Sequence, residues 1–138
     1  MAAKLDDTLR AFLRQPLVAR VTTLDPDGYP HTVPIWFILD GDDLVMATPP
    51  GSRKIRNIGL NPKGAVTIGG DSTDDEAIYQ TGYLFQGDLT VERDPEGMWL
   101  TRITYHYRQD RARADRDMAE WGPHDAIRLR IKTVIKVM

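Results

Sequence analysis

The chain contains no cysteine. Disulfides, thiolate nucleophiles and cysteine-built zinc or iron–sulfur sites are thereby excluded. A long apolar stretch is also missing. The longest run, Val33 to Leu39, is interrupted by Pro34 and is far too short to span a bilayer, and the N-terminus turns acidic at Asp6-Asp7 without a signal-peptide core. Excess charge of either sign is lacking as well, with 18 Lys+Arg against 20 Asp+Glu. That balance disfavours a dedicated nucleic-acid binder, which carries a basic surplus. No Gly-x-x-x-x-Gly-Lys-Ser/Thr loop, Gly-x-Gly-x-x-Gly turn or Gly-x-Ser-x-Gly elbow occurs. The three histidines, His31, His106 and His124, match no metal-ligand spacing, so no metal site is expected. A soluble, cytoplasmic protein is the expectation.

What is present suits one globular domain over 1–138, 41% hydrophobic and 28% charged. Leu5, Leu9, Phe12 and Leu13 recur at helical spacing, predicting a helix over 4–15 ended by Pro16. A strand over 17–24 leads into Asp25-Pro26-Asp27-Gly28, whose Pro and Gly supply the dihedrals of a turn. The return strand, 31–39, is apolar at nearly every position, and a third strand spans 44–48. Ser52 opens a short helix stopped by Asn61-Pro62, and 65–68 is a short strand. The carboxylate-dense run 71–76 reads as a solvated loop. Residues 78–91 read as a strand, with Gly82 and Gly87 as bulge or close-approach points. Asp94-Pro95 is expected to start one helix running to Trp121. The last strand alternates Ile127, Leu129, Ile131, Ile135 and Val137 against Arg128, Arg130, Lys132 and Lys136. Short connections make antiparallel neighbours, so the expected fold is mainly β (α+β), a six-stranded antiparallel barrel with flanking helices.

The most informative string is Gly51-Ser52-Arg53-Lys54, where a strand hands over to a helix. Free backbone N–H groups, the positive helix end, a hydroxyl and two cations converge there, a donor set suited to a phosphate monoester. Asn57 follows on the same helical face. The alternative is that Ser52 merely caps the helix while both cations point to water. Pro34 removes a ladder donor and marks an edge or interrupted position in its strand. Trp36 borders either a ligand or a subunit seam, the alternative being plain core packing. Tyr105-His106-Tyr107 is a weaker substrate-pocket candidate, with His106 as proton donor. The basic face of the last strand is either a seat for an anionic tail or the wet side of a sheet.

The run from Ala19 to Phe37, the hairpin Asp40 to Thr48, and Gly51 to Ile58 with Asn61-Pro62 together resemble the pyridoxamine 5'-phosphate oxidase-like split-barrel flavoproteins. The likeness is strong from about residue 10 to 70 and looser through Gly87 and the final strand. It implies a homodimeric six-stranded split barrel that binds FMN, or in one branch the deazaflavin coenzyme F-420, at the dimer interface. It further implies that Ser52, Arg53 and Lys54 grip the phosphate, assisted by Asn57. Val33, Pro34, Ile35 and Trp36 would lie along the isoalloxazine ring, and Thr48 would approach the ribityl chain or ring edge. The implied activity is hydride transfer to or from a small molecule, with the cofactor supplying the chemistry and no catalytic side chain assigned. The basic substrate-binding residues that true pyridoxamine phosphate oxidases carry near the C-terminus are not found, so vitamin B6 oxidation is not expected. Lys54-x-x-Asn57 also fits the deazaflavin branch, which leaves FMN and F-420 both open. The competing reading is a non-catalytic cofactor or ligand carrier on the same fold.

Overall fold

The computed structural model describes residues 2–70 and 81–138. The expected loop at 71–76 and the start of the strand predicted from residue 78 lie outside the described residues. The first helix is α1 (Asp7–Leu13), capped by the Asp6 carboxylate, which accepts the Leu9 N–H. Its Leu9, Phe12 and Leu13 are buried. Arg10 fixes the helix to the turn at residues 41–42, donating to the Gly41 carbonyl at 2.7 Å and pairing with Asp42.

Among the described residues seven strands follow, where six were expected: β1 (Ala19–Leu24), β2 (Pro30–Ile35), β3 (Phe37–Asp40), β4 (Asp43–Thr48), β5 (Lys63–Gly69), β6 (Gly82–Glu92) and β7 (Asp125–Lys136). They form one antiparallel sheet in the order β2-β1-β5-β6-β7-β4-β3. The extra strand arises at Trp36. Residues 31–39 read as one strand, but the chain leaves its ladder at Trp36, pairing with β1 before it and with β4 after it. The first and last strands of the sheet are therefore halves of one segment, and the sheet curls until a single residue joins its two edges. Pro34 sits on edge strand β2, opposite Arg20, where a missing N–H costs least.

The barrel interior holds Leu13, Val21, Phe37, Leu44, Met46, Val66, Phe85, Leu129 and Ile131, all fully buried or nearly so. The expected inward row on β7 ends early. Ile127, Leu129 and Ile131 are buried, whereas Ile135 and Val137 are exposed. A register shift between Gln86 and Gly87, with Lys132 as the extra residue, bulges β7 against β6 beside the glycine that suggested it.

Among the described residues, three helices flank the sheet besides α1. Helix α2 (Arg53–Leu60) is capped by Ser52, whose Oγ accepts the Ile55 N–H at 3.4 Å. The single helix expected over 94–121 is two, α3 (Met98–Tyr107) and α4 (Arg111–Trp121). Asp94 is buried and accepts from the N–H groups of Met98, Trp99 and Leu100, but Gly97 in the left-handed region holds Pro95 outside the helix. Asp110 makes the second cut by accepting the Arg113 N–H, a side-chain bond that competes with helix continuation. Among the described residues no helix is long and apolar enough to cross a membrane.

Candidate functional site

The break at Trp36 opens on a groove of about 500 Å³ between the sheet and the helices. Val18, Pro34, Ile35, Trp36 and Ala47 line it from the sheet side, and Leu100, Ile103, Thr104, Trp121 and His124 from the helix side. Its size falls within the ordinary range for small-molecule sites. Trp36 is held firmly. Its ring stacks on Tyr107, centroids 4.6 Å apart and planes within 5°, and Trp121 meets it edge-on at 6.1 Å. The Tyr107 hydroxyl accepts the Phe37 N–H at 3.1 Å and donates to the Leu17 carbonyl at 2.5 Å. It thereby supplies partners that the ladder lacks at its crossing point. Burial pushes the phenol well above the usual tyrosine range. Tyr107→Phe orphans both backbone groups and should cost about 1–3 kcal/mol in urea unfolding, with a weaker near-ultraviolet circular dichroism signal from the loosened indole.

Beside the groove lies the corner at the start of α2, and β4 joins the two. Ala47 lines the groove, while the next residue, the buried Thr48, donates its hydroxyl hydrogen to Ser52 Oγ at 3.1 Å. Gly51 takes a positive φ of 71°, which lets the chain turn from Pro49-Pro50 into the cap. Here the four corner residues separate. Arg53 Nε donates to Asp25 Oδ1 at 2.9 Å and its Nη2 pairs with Asp25 Oδ2, leaving Nη1 without a partner among the described residues. Asn57 is buried, with its amide nitrogen donating to Thr23 Oγ1 at 3.0 Å and Asp25 Oδ1 at 2.9 Å. Asn57 thus ties α2 to the β1–β2 turn. Lys54 is half-buried and has neither a hydrogen bond nor an ion pair among the described residues. Burial alone holds its ammonium below the usual lysine range.

The Arg53 guanidinium, with Asn57 second, holds the Asp25 carboxyl below its usual value. The sign follows from linkage: the latch contributes stability above the unfolded-state value and loses it as pH falls through the lower folded-state one. Urea unfolding should weaken below about pH 4. Asp25→Asn should flatten that acid limb, a comparison of unfolding midpoints at pH 6 and pH 2.5 being the check.

Of the residues singled out in the sequence, Pro34, Ile35 and Trp36 line the groove, and Thr48, Ser52, Arg53, Lys54 and Asn57 gather at the corner. Val33 packs against the barrel core and is not a lining residue. Arg128, read as part of a basic face, is bound to Glu92, Asp40 and Asp43 and lies over the Trp99 ring, so it is not free to hold an anionic tail. Lys132 pairs with Asp88 at 2.6 Å. Asp25 was legible only as a turn residue, and the helix-side residues of the groove carry no local signal in the sequence. No group of His, Asp and Glu able to hold a metal ion exists among the described residues.

A curled antiparallel sheet, split at one residue and carrying a groove against its helices, is the split-barrel fold. The family model described as pyridoxamine 5'-phosphate oxidase matches residues 5–138, and the chain belongs to that family. No curated protein matches the sequence. Similar solved structures include an F420 reductase, 23% identical with a TM-score of 0.72, covering 95% of this chain and 98% of its own. A Listeria innocua protein provisionally assigned as a pyridoxamine 5'-phosphate oxidase is 22% identical, TM-score 0.68, covering 95% and 96%. The heme storage protein HutZ of Vibrio cholerae is 16% identical, TM-score 0.66, covering 96% and 94%. At these identities the likeness shows the fold alone.

Proposed function

We propose that the protein is an oxidoreductase that binds FMN, or coenzyme F-420, across the groove and the α2 corner. Family membership supports this reading, and Lys54 carries it. A half-buried cation with no partner is costly to keep, and at the start of a helix it is placed to receive an anion. Apolar walls at Pro34, Ile35 and Trp36 suit a flat ring, so the residues present fit such a group. When bound, the cofactor would supply hydride transfer at its ring. In this reading Lys54 holds the phosphate as a point charge, Ser52 and the first N–H groups of α2 donate to it, and Arg53 adds its unengaged Nη1. Asp25 acts as a positioning residue, because it sets the direction of Arg53 and Asn57. Thr48 fixes the Ser52 hydroxyl, and the Trp36 wall keeps water from one side of the ring.

A homodimer is part of the proposal, with a second copy covering the open side of the groove. Sizing chromatography should give a dimer, and a monomer at working concentration would remove that part. The decisive experiment is titration of the purified chain with FMN and with F-420, followed by absorbance and fluorescence. Saturable binding of either, with reoxidation of the reduced bound form by an added acceptor, supports the enzyme. Binding without reoxidation by any acceptor assigns a carrier instead, and failure of both cofactors to bind overturns the reading.

A further inference from the structure

Helices α3 and α4 are neighbours held by different forces. Of the ten residues of α3, Trp99, Leu100, Ile103 and Thr104 are buried. Of the eleven of α4, Ala114 alone is buried. A helix this short does not hold itself in water and depends on an apolar face packed against its surroundings. In α4 that face is almost missing.

What ties α4 down is polar and close to the surface. The Tyr105 hydroxyl of α3 donates to Asp115 Oδ1 at 2.6 Å, and the Arg111 guanidinium lies 3.7 Å over the Tyr105 ring. Arg108, just past the end of α3, brings its Nε to 3.3 Å from the Asp117 carboxylate. Ties of this kind contribute little each, because water replaces them when they part. At the far end of α4, Trp121 stays 42% exposed and meets Trp36 edge-on. That same side chain lines the groove. Residues 108–110 and 122–124, which flank the helix, lie in neither helix nor strand, so the chain can turn there without disrupting a ladder.

We infer that α4 is a lid on the groove. It detaches from α3 about the segments 108–110 and 122–124, carries Trp121 off Trp36 to open the groove, and returns to close it. Weak ties along the helix and one aromatic clasp at the groove make that closure reversible at little cost, and moving parts are drawn from such elements of low local stability. The inference goes beyond the proposed function, since the motion belongs to the free chain whatever the groove receives.

The experiment combines hydrogen–deuterium exchange of the full chain with thiol labelling, both without added ligand. A detached α4 is too short to keep its hydrogen bonds, so its amides should exchange at least about tenfold faster than those of α3, after correction for intrinsic rates. Asp115→Ala cuts the tie to Tyr105 while raising helix propensity, so faster exchange would not come from a weaker helix. It should speed α4 by about two- to fivefold and leave α3 unchanged. Because the chain has no cysteine, Thr104→Cys, buried in the groove wall, gives a single reporter. Its alkylation by iodoacetamide should rise by the same factor when Asp115→Ala is added. Exchange of α4 no faster than that of α3 would overturn the inference, and this arm decides on the natural chain even if Thr104→Cys fails to fold. Labelling that ignores Asp115→Ala would overturn it as well, since the helix would then move without uncovering the groove. Neither arm uses FMN or F-420, so the lid and the cofactor reading fail separately.

Discussion

Replacing Lys54 with alanine should weaken FMN or F-420 binding by about ten- to a hundredfold while leaving the folded chain no less stable. The affinity loss follows from removing a charged hydrogen-bond donor, which contributes about 1.5–3 kcal/mol to an anion it contacts. The stability effect has the opposite sign for a separate reason. Burial lowers the Lys54 ammonium below its usual range, so the unfolded chain binds its proton more readily than the folded one. Stability at this position therefore rises with pH through the interval between the two values, and at neutral pH the charge opposes folding. A residue kept for structure would lose stability on truncation, whereas one kept for a ligand would not. Fluorescence titration and urea unfolding of the same Lys54→Ala preparation separate the two. A variant that binds as tightly as the natural chain removes the phosphate role.

Gly87→Ala should be severely damaging to the barrel. A Cβ at this bulge would meet the Arg130 carbonyl oxygen at 1.9 Å and its carbon at 2.9 Å. Both belong to the paired strand β7, which cannot yield as a flexible side-chain end would. By contrast, a Cβ on Gly28 meets nothing within 4 Å. Overpacking of this kind costs about 3 kcal/mol, a large share of the 5–15 kcal/mol of an ordinary domain. A thermal melt should show the loss, and a midpoint within a few degrees of the natural chain would mean that β7 shifts more readily than its ladder implies.

Much of this was legible along the chain, because local chemistry marks local structure. Ser52 caps α2 as its hydroxyl suggested, and Gly87 marks the bulge between β6 and β7. Asp94 is not the cap residue its place before Pro95 suggested: Gly97 holds that position, with the Asp94 carboxylate accepting the first N–H groups from outside the helix, and Asp110 cuts the expected span in two. The break at Trp36 was out of reach. An apolar run fits one strand or two equally well, and which neighbour each half pairs with is decided by the closure of the whole sheet. At the corner, residue types alone put Ser52, Arg53, Lys54 and Asn57 in one group. Their division of labour came only from Asp25, a turn residue almost thirty positions from Arg53 that binds Arg53 and Asn57 and leaves Lys54 without a partner.

The residue whose indole borders the groove also joins the two margins of the sheet through its backbone, so whatever occupies the cavity braces that junction. Occupancy and mechanical integrity then become one equilibrium. A ligand at a hundred times its dissociation constant would add about 2.7 kcal/mol to resistance against unfolding, and the empty protein would come apart first along this seam.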